Sequence, residues 1–257
     1  MNTKLLTFLY HEVTDHPELS GFQRQGALPY KHEVKKFLSD LDAIALEHAE
    51  APSIFDAIGS QQTSLVMTFD DGGASAIQIA DLLEKRGWLG HFFVTTSLIG
   101  KAGFLTESEI RNLDNRGHII GSHSHTHPDI FRDIPFQQKI EEWRVSKEKL
   151  ENILNKEILC ASIPGGDMDD DTIKSAAEVG LKYLFTSEPS YSPYEKYGVL
   201  VIGRVCAKNT TTTKQVRAWA KGEGFVLARF VRFCKEVIRT ILKPVYQGYV
   251  RLNERKV

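Results

Sequence analysis

Asp70 and Asp71 stand side by side at the end of a short apolar run, residues 65–69, and are followed by Gly72-Gly73. Further along, His123 and His127 occupy positions i and i+4 in His123-Ser124-His125-Thr126-His127-Pro128, again after an apolar segment. One carboxylate oxygen and two imidazole nitrogens can hold a divalent cation and leave positions open for water and substrate. The other carboxylate is then free to act as a base, which is the equipment of a metal-assisted hydrolase. Either cluster alone has an ordinary explanation. Adjacent aspartates cap turns and helices, and paired histidines can be satisfied in a core or simply solvated. Together, with two glycines giving close backbone access, they favour a cation site.

The rest of the chain must bring the two clusters to one place. β-rich runs at 5–10, 65–69, 91–95, 118–122, 158–163, 182–186 and 199–204 alternate with helical patterns near 32–48, 75–87, 106–116, 135–155 and 172–179. Gly87, Gly117 and Gly180 each close a helical pattern, as C-terminal caps do. The alternation predicts parallel strands with crossover helices. The expected fold is α/β, a distorted (β/α) barrel of about seven parallel strands with a C-terminal helical appendage. In such folds chemistry gathers where strands end. Asp70 and Asp71 follow the second run, His123 the fourth, Pro164-Gly165-Gly166 the fifth, and Arg204 closes the last. No glycine-rich dinucleotide or phosphate-loop fingerprint is present.

A chain of 257 residues, 42% hydrophobic and 25% charged, has the make-up of a soluble globular protein with room for a substantial core. Its net charge of -1 gives no reason to expect a polyanionic partner, and nucleic-acid binding is not expected. The charge is nonetheless uneven. Residues 225–257 hold eight Lys/Arg against two Glu, a local net of +6. From 225 to 242, Val226, Phe230, Phe233, Val237 and Ile241 fall on one helical face, and Arg232, Lys235, Arg239 and Lys243 on much of the other. This basic amphipathic helix stops near Pro244. It can pack on the barrel with its basic side in water, meet a second copy, or make peripheral contact with anionic lipid. The expected division is a barrel domain over 4–213 and the appendage over 214–257.

Cys160, Cys206 and Cys234 are odd in number and sit in apolar contexts, so they read as small hydrophobes, not a disulfide framework. The apolar run at 5–10 is too short for a secretion leader and reads as the first strand. No segment has the length of a transmembrane helix. The expected location is the cytoplasm, at the inner face of the membrane if the helix binds lipid. Asn209-Thr210-Thr211 then matches a glycosylation sequon by chance.

Thr68-Phe69-Asp70-Asp71-Gly72 and His123-Ser124-His125-Thr126-His127-Pro128 resemble the first two motifs of the polysaccharide deacetylases, the NodB-homology or carbohydrate esterase family 4 group. Supporting segments are similar in the same order: Leu9-Tyr10-His11-Glu12-Val13, His91-Phe92-Phe93-Val94 and Ser162-Ile163-Pro164-Gly165-Gly166. The likeness covers about residues 4–205. It implies that Asp71, His123 and His127 bind the metal and that Asp70 is the general base. Ser124 would brace the histidine loop, and a backbone N–H near Gly165 would help hold the oxyanion. Zinc leads as the implied metal, with cobalt, nickel, manganese and iron fitting the same ligands. Two departures stand out. The third motif usually begins with an arginine, where this chain has Ser162, and the family's late histidine, its general acid, has no counterpart after His127. Arg204 is a candidate to replace the arginine in space, and His11, with Glu12 beside it, a candidate proton donor or substrate contact. His125, at i+2, points elsewhere if its segment is extended. Asp167 lies near the rim, while Asp169, Asp170 and Asp171 suit the start of the next helix. Tyr191, Tyr194 and Tyr197 could stack on a sugar or shield their own loop. The implied activity is removal of an N-acetyl group from an amino sugar in cell-envelope glycan synthesis. The alternatives are a deformylase of a lipid-linked formamido sugar and a silent carbohydrate-binding protein that keeps its metal.

Overall fold

The computed structural model describes residues 4–60, 62–226, 228–231 and 233. The chain enters through strand β1 (Leu5–Tyr10), the two-residue strands β2 (Glu12–Val13) and β3 (Lys31–His32), and helices α1 (Val34–Ala45) and α2 (Ile54–Ala57). Strand and helix then alternate: β4 (Ser64–Phe69), α3 (Ala76–Glu84), β5 (Gly90–Val94), α4 (Glu107–Asn115), β6 (Ile119–Ser122), α5 (Phe136–Leu154), β7 (Cys160–Ser162), α6 (Asp170–Glu178) and β8 (Tyr183–Phe185). The last elements are β9 (Tyr194–Lys196), β10 (Val199–Ile202), β11 (Val205–Cys206) and α7 (Thr213–Ala220).

One sheet runs in the order β11-β1-β4-β5-β6-β7-β8-β10-β9. Every pairing in it is parallel except β10 with β9. It therefore has nine strands where about seven were expected. The additions are an antiparallel edge strand, β9, and β11. The run at 199–204 is not one strand. A Cβ on Gly203 would lie 2.5 Å from the Glu188 carbonyl, and the chain turns there before resuming as β11. Segment 188–191 spans the opening between the sheet's two ends: the Leu5 N–H donates to the Tyr191 carbonyl and the Arg204 N–H to the Glu188 carbonyl, both at 2.9 Å.

Strand alternation divides the core. Leu6, Phe8, Tyr10, Leu65, Met67 and Phe69 pack in the main cluster together with helix residues such as Phe37, Leu41, Ile79 and Leu83. Leu5, Val66, Phe93, Phe185 and Ile202, from the other strand face, form an inner cluster with Ile54 and Ala57 of α2. Phe69, Phe92 and Phe93 are thus core residues, at most 2% exposed. Helix α6 starts where the acidic run predicts a helix start: the Asp169 side chain accepts from the Thr172 N–H at 2.8 Å, in a capping box. Helix α7 puts Val216, Trp219 and Ala220 into the main cluster, and Phe225 beyond it is buried edge-on against Tyr191. Most of the basic helix expected over 225–242, with Cys234, lies outside the described residues. Cys160 is buried and Cys206 half-buried, and neither forms a disulfide. Among the described residues no helix is long and apolar enough to cross a membrane.

Candidate metal and catalytic site

On β4 and one residue past its end, the side chains of Val66, Thr68 and Asp70 follow the period-two rule onto the inner face. There Thr68 and Asp70 meet Arg204, which is 0% exposed. Its five N–H bonds are all used. Nε donates to the Thr186 carbonyl (3.0 Å), Nη1 to Thr68 Oγ1 (3.2 Å) and Asp70 Oδ1 (2.8 Å), and Nη2 to Asp70 Oδ2 and Ser162 Oγ (both 2.8 Å). Ser162 itself donates to Asp70 Oδ2 at 2.9 Å. Burial pushes the Asp70 carboxyl up, but Arg204 and His123 outweigh it and hold the group below its ordinary range. The departure at the third motif thus has a spatial answer: serine and arginine from two strand ends converge on one carboxylate.

Asp71 turns the other way. Its φ is 78°, and Ser124 (62°) and His127 (59°) share the left-handed region. Backbone strain of this kind costs on the order of 1–3 kcal/mol per residue and persists where surroundings enforce it. Here the His127 N–H donates to Ser124 Oγ at 3.1 Å, and the His123 N–H to the Val94 carbonyl at 2.9 Å. Glu142, reaching from α5, accepts from the N–H groups of His125 (2.9 Å) and Thr126 (2.7 Å) and from the Thr126 hydroxyl (2.6 Å). Nothing in the sequence marked Glu142, which reads as one more charged residue on a charged helix.

Asp71 Oδ1 lies 3.4 Å from His123 Nε2 and 3.6 Å from His127 Nε2, and ligand atoms of all three lie within 4.8 Å of one another. Donors about 2.0–2.2 Å from a tetrahedral ion sit roughly 3.3–3.6 Å apart, so the trio fits a zinc-like cation. His123 Nδ1 is 2.9 Å from the Ser162 carbonyl; donating there leaves its Nε2 lone pair facing Asp71. Burial pushes Asp71 up, but the imidazoles that face it, His123 first and then His11 and His127, outweigh burial and hold it well below the carboxylate range. Burial and the neighbouring His123 drive His127 down to about 3, while Asp70 and Asp71 overcome burial to raise His123. A neutral His127 is the form that ligates a metal.

His125 is not in this cluster; its Nδ1 is 2.9 Å from Thr96 Oγ1. The ring of His11, at the end of β1 beside Asp70, packs 4.6 Å from Tyr30, and its buried Nδ1 has no hydrogen-bond partner. Burial lowers its pKa against the pull of Asp71 and Asp70. Glu12 instead holds the loop over 14–30: it accepts from Ser20 and from Ser75 Oγ (2.6 Å), and burial raises it to about 7. That loop, invisible to periodicity, brings Arg24 Nη2 within 3.4 Å of His127 Nδ1 and packs Phe22 at a tilt against the His127 ring (5.0 Å). Asp70, Asp71, His123 and His127 line a cavity of about 920 Å³, as do His11, Gly165 and Asp167. Tyr191, Tyr194 and Tyr197 do not line it, and Tyr197 bonds Asp170 instead.

A curled, mostly parallel sheet with carboxylates and imidazoles at its strand ends defines a (β/α)-barrel of hydrolase type. Residues 58–184 match the sequence profile described as polysaccharide deacetylase, and that stretch of the chain belongs to that family. It is 29% identical over 142 residues to YxkH of Bacillus subtilis, which carries the name of a polysaccharide deacetylase; the match covers 55% of this chain and 50% of that protein. It is 27% identical over 130 residues to the peptidoglycan-N-acetylmuramic acid deacetylase PdaA of Bacillus subtilis, covering 50% of this chain and 48% of that one. The matched stretch is thus about half the length of each curated relative. A polysaccharide deacetylase from Bacillus cereus superposes with a TM-score of 0.69 at 22% identity, over 84% of this chain and 69% of that one, and so shares the fold.

Proposed function

We propose that this protein hydrolyses the N-acetyl group of an amino sugar destined for a cell-envelope glycan, and that the reaction depends on one divalent metal ion. The reading rests on a single observation: Asp71, His123 and His127 offer ligand atoms within 4.8 Å of one another beside a second carboxylate, Asp70, that they do not consume. A bound divalent ion, with zinc best suited to two imidazoles and one carboxylate, would act there as a Lewis acid toward the acyl oxygen. Asp70, clamped by Arg204 and Ser162, takes one proton from the attacking water while its orientation is fixed. The Gly165 N–H, on the cavity wall, donates to the oxygen that gains charge. Water adds to the carbonyl carbon, the C–N bond breaks, and the departing nitrogen collects a proton to leave as amine beside acetate. His11, which lines the same cavity, is the candidate donor of that proton or a substrate contact.

The family likeness and the named activity of the Bacillus subtilis relative PdaA support deacetylation. A formyl group would fit the same chemistry, and acetate against formate release separates the two. The C-terminal segment, basic by sequence, suits a peripheral contact with anionic lipid at the cytoplasmic membrane face; the division into residues 4–213 and 214–257 is kept as part of this reading, with α7 packed on the barrel. The test is elemental analysis of wild type and His123→Ala, followed by acetate assay of wild type and Asp70→Asn on N-acetylated glycans. About one ion per chain, lost in His123→Ala, with turnover lost in Asp70→Asn while metal stays bound, is expected. Metal bound without turnover on any glycan would point to a binding protein.

A further inference from the structure

The cavity is larger than one sugar requires. At about 920 Å³ it stands near the top of the roughly 300–1,000 Å³ of small-molecule pockets. Its lining is mixed. Besides the carboxylates and imidazoles it includes Lys208, Thr211 and Gln215, and Val205, Ala218, Trp219, Ala228 and Val231, from β11, α7 and the segment after Gly224, give it an apolar wall, here called the arm. The Lys208 ammonium lies 5.1 Å from the centre of the Tyr30 ring, and no carboxylate pairs with it among the described residues. A cation left without an acidic partner on a cavity wall suits an anionic group of a ligand. The arm does not suit a second sugar ring: its one aromatic residue, Trp219, is 6% exposed and offers no face for stacking. On the outer side of the same segment Val226, Phe230 and Phe233 are 83%, 62% and 65% exposed.

We infer that the substrate is an amino sugar joined through phosphate to a hydrocarbon chain. The acylated sugar lies at Asp70 and Asp71, the phosphate at Lys208, and the first part of the chain in the arm beside Ala218 and Ala228. The inference deepens the deacetylase reading and rests on it for the sugar, but the phosphate and hydrocarbon positions stand on the cavity's lining alone. The exposed apolar side chains beyond the arm would enter the lipid surface from which such a chain emerges.

The test is binding of farnesyl phosphate, farnesol and inorganic phosphate to the full metal-loaded chain, by calorimetry. Farnesyl phosphate is expected to bind at least ten-fold tighter than either fragment. Lys208→Gln and Ala228→Trp should each weaken it at least ten-fold, and Ala218→Leu serves where Ala228→Trp does not fold. Equal affinity for farnesyl phosphate and inorganic phosphate, or affinity untouched by filling the arm, overturns the inference. So does acetate release from soluble N-acetylated oligosaccharides that farnesyl phosphate does not inhibit, although the deacetylase reading then stands. Tight, arm-dependent binding of farnesyl phosphate with no acetate from any glycan supports the arm and removes the deacetylase reading instead.

Discussion

Replacing Arg204 with methionine isolates the clamp on Asp70. The substitution keeps an unbranched side chain in a fully buried site and removes five hydrogen bonds, two of them to the Asp70 carboxylate. Asp70 keeps the Ser162 hydroxyl as its remaining donor. Thr68 still donates to the Phe8 carbonyl (2.7 Å), but the Thr186 carbonyl loses the guanidinium. Stranding one member of a buried ion pair costs about 3–5 kcal/mol, and an unpaired carbonyl adds about 1 kcal/mol. The expected loss is therefore about 4–6 kcal/mol, or roughly 8–24 °C in Tm for a chain of this size. The assay is urea unfolding followed by tryptophan fluorescence in EDTA, so that metal binding does not contribute. The double variant Asp70→Asn/Arg204→Met should recover at least about 2 kcal/mol of that loss, because no charge is then left unpaired. A loss below about 1 kcal/mol in Arg204→Met, or a double variant no more stable than the single, would refute the buried-pair argument.

Glu142→Ala should raise the zinc Kd about 10–100-fold, the usual effect of removing a group that orients ligands, because the turn between His123 and His127 loses all three bonds from α5; unchanged affinity by competition titration would refute this. His91 accepts from the Ile54 N–H (2.8 Å) and its Nδ1 faces the Met67 carbonyl (2.9 Å), and burial drives its pKa down to about 4. Between pH 4 and 6.5 the unfolded chain binds the proton and the folded one does not. The contribution is therefore full above about 6.5 and is lost as pH falls toward 4, about 3 kcal/mol in all. Urea midpoints across that window should fall less steeply in His91→Gln than in wild type. Glu12, raised to about 7, tilts the curve the other way over its own range: its contribution is full below about 4.5 and lost as pH rises through 7. Gly121→Ala would set a Cβ 2.6 Å from the Phe93 ring and 2.8 Å from the Cys160 carbonyl, so it should cost about 1–3 kcal/mol by overpacking, read as a lower Tm.

Strand β1 lies where its short apolar run predicts it, and β4, β5 and β6 fall within a residue of their predicted bounds, because strands of a buried parallel sheet read as near-continuous apolar runs. Arg204 was a candidate because it closes a strand and the third motif lacks its arginine, and in the structure it bonds the Asp70 carboxylate. What the pattern did not carry was anything made by residues distant in sequence without periodicity of their own. The two-residue strands β2 and β3 and the loop between them have no repeat to detect, yet Arg24 reaches His127 across 103 positions of chain. Glu142 sits on α5 at a spacing that reads as surface, and only the packed turn at residues 123–127 shows why it is 6% exposed. β9 and β11 are too short to separate from turns by composition.

The two halves of the site come from different stretches of chain. Asp71, His123 and His127 all belong to the middle of the sequence, whereas the clamp on Asp70 arrives 134 positions after it. A growing chain exposes every candidate metal ligand long before Arg204 has been made. During synthesis the ion's cradle therefore precedes the orientation of the base, and Asp70 waits for the last turn of the barrel. A change near Gly203 or in segment 188–191 would act on the base while leaving the ligand cluster intact. On the proposed reading, metal binding and turnover are therefore separable in this chain: a substitution at the clamp can remove the second and keep the first.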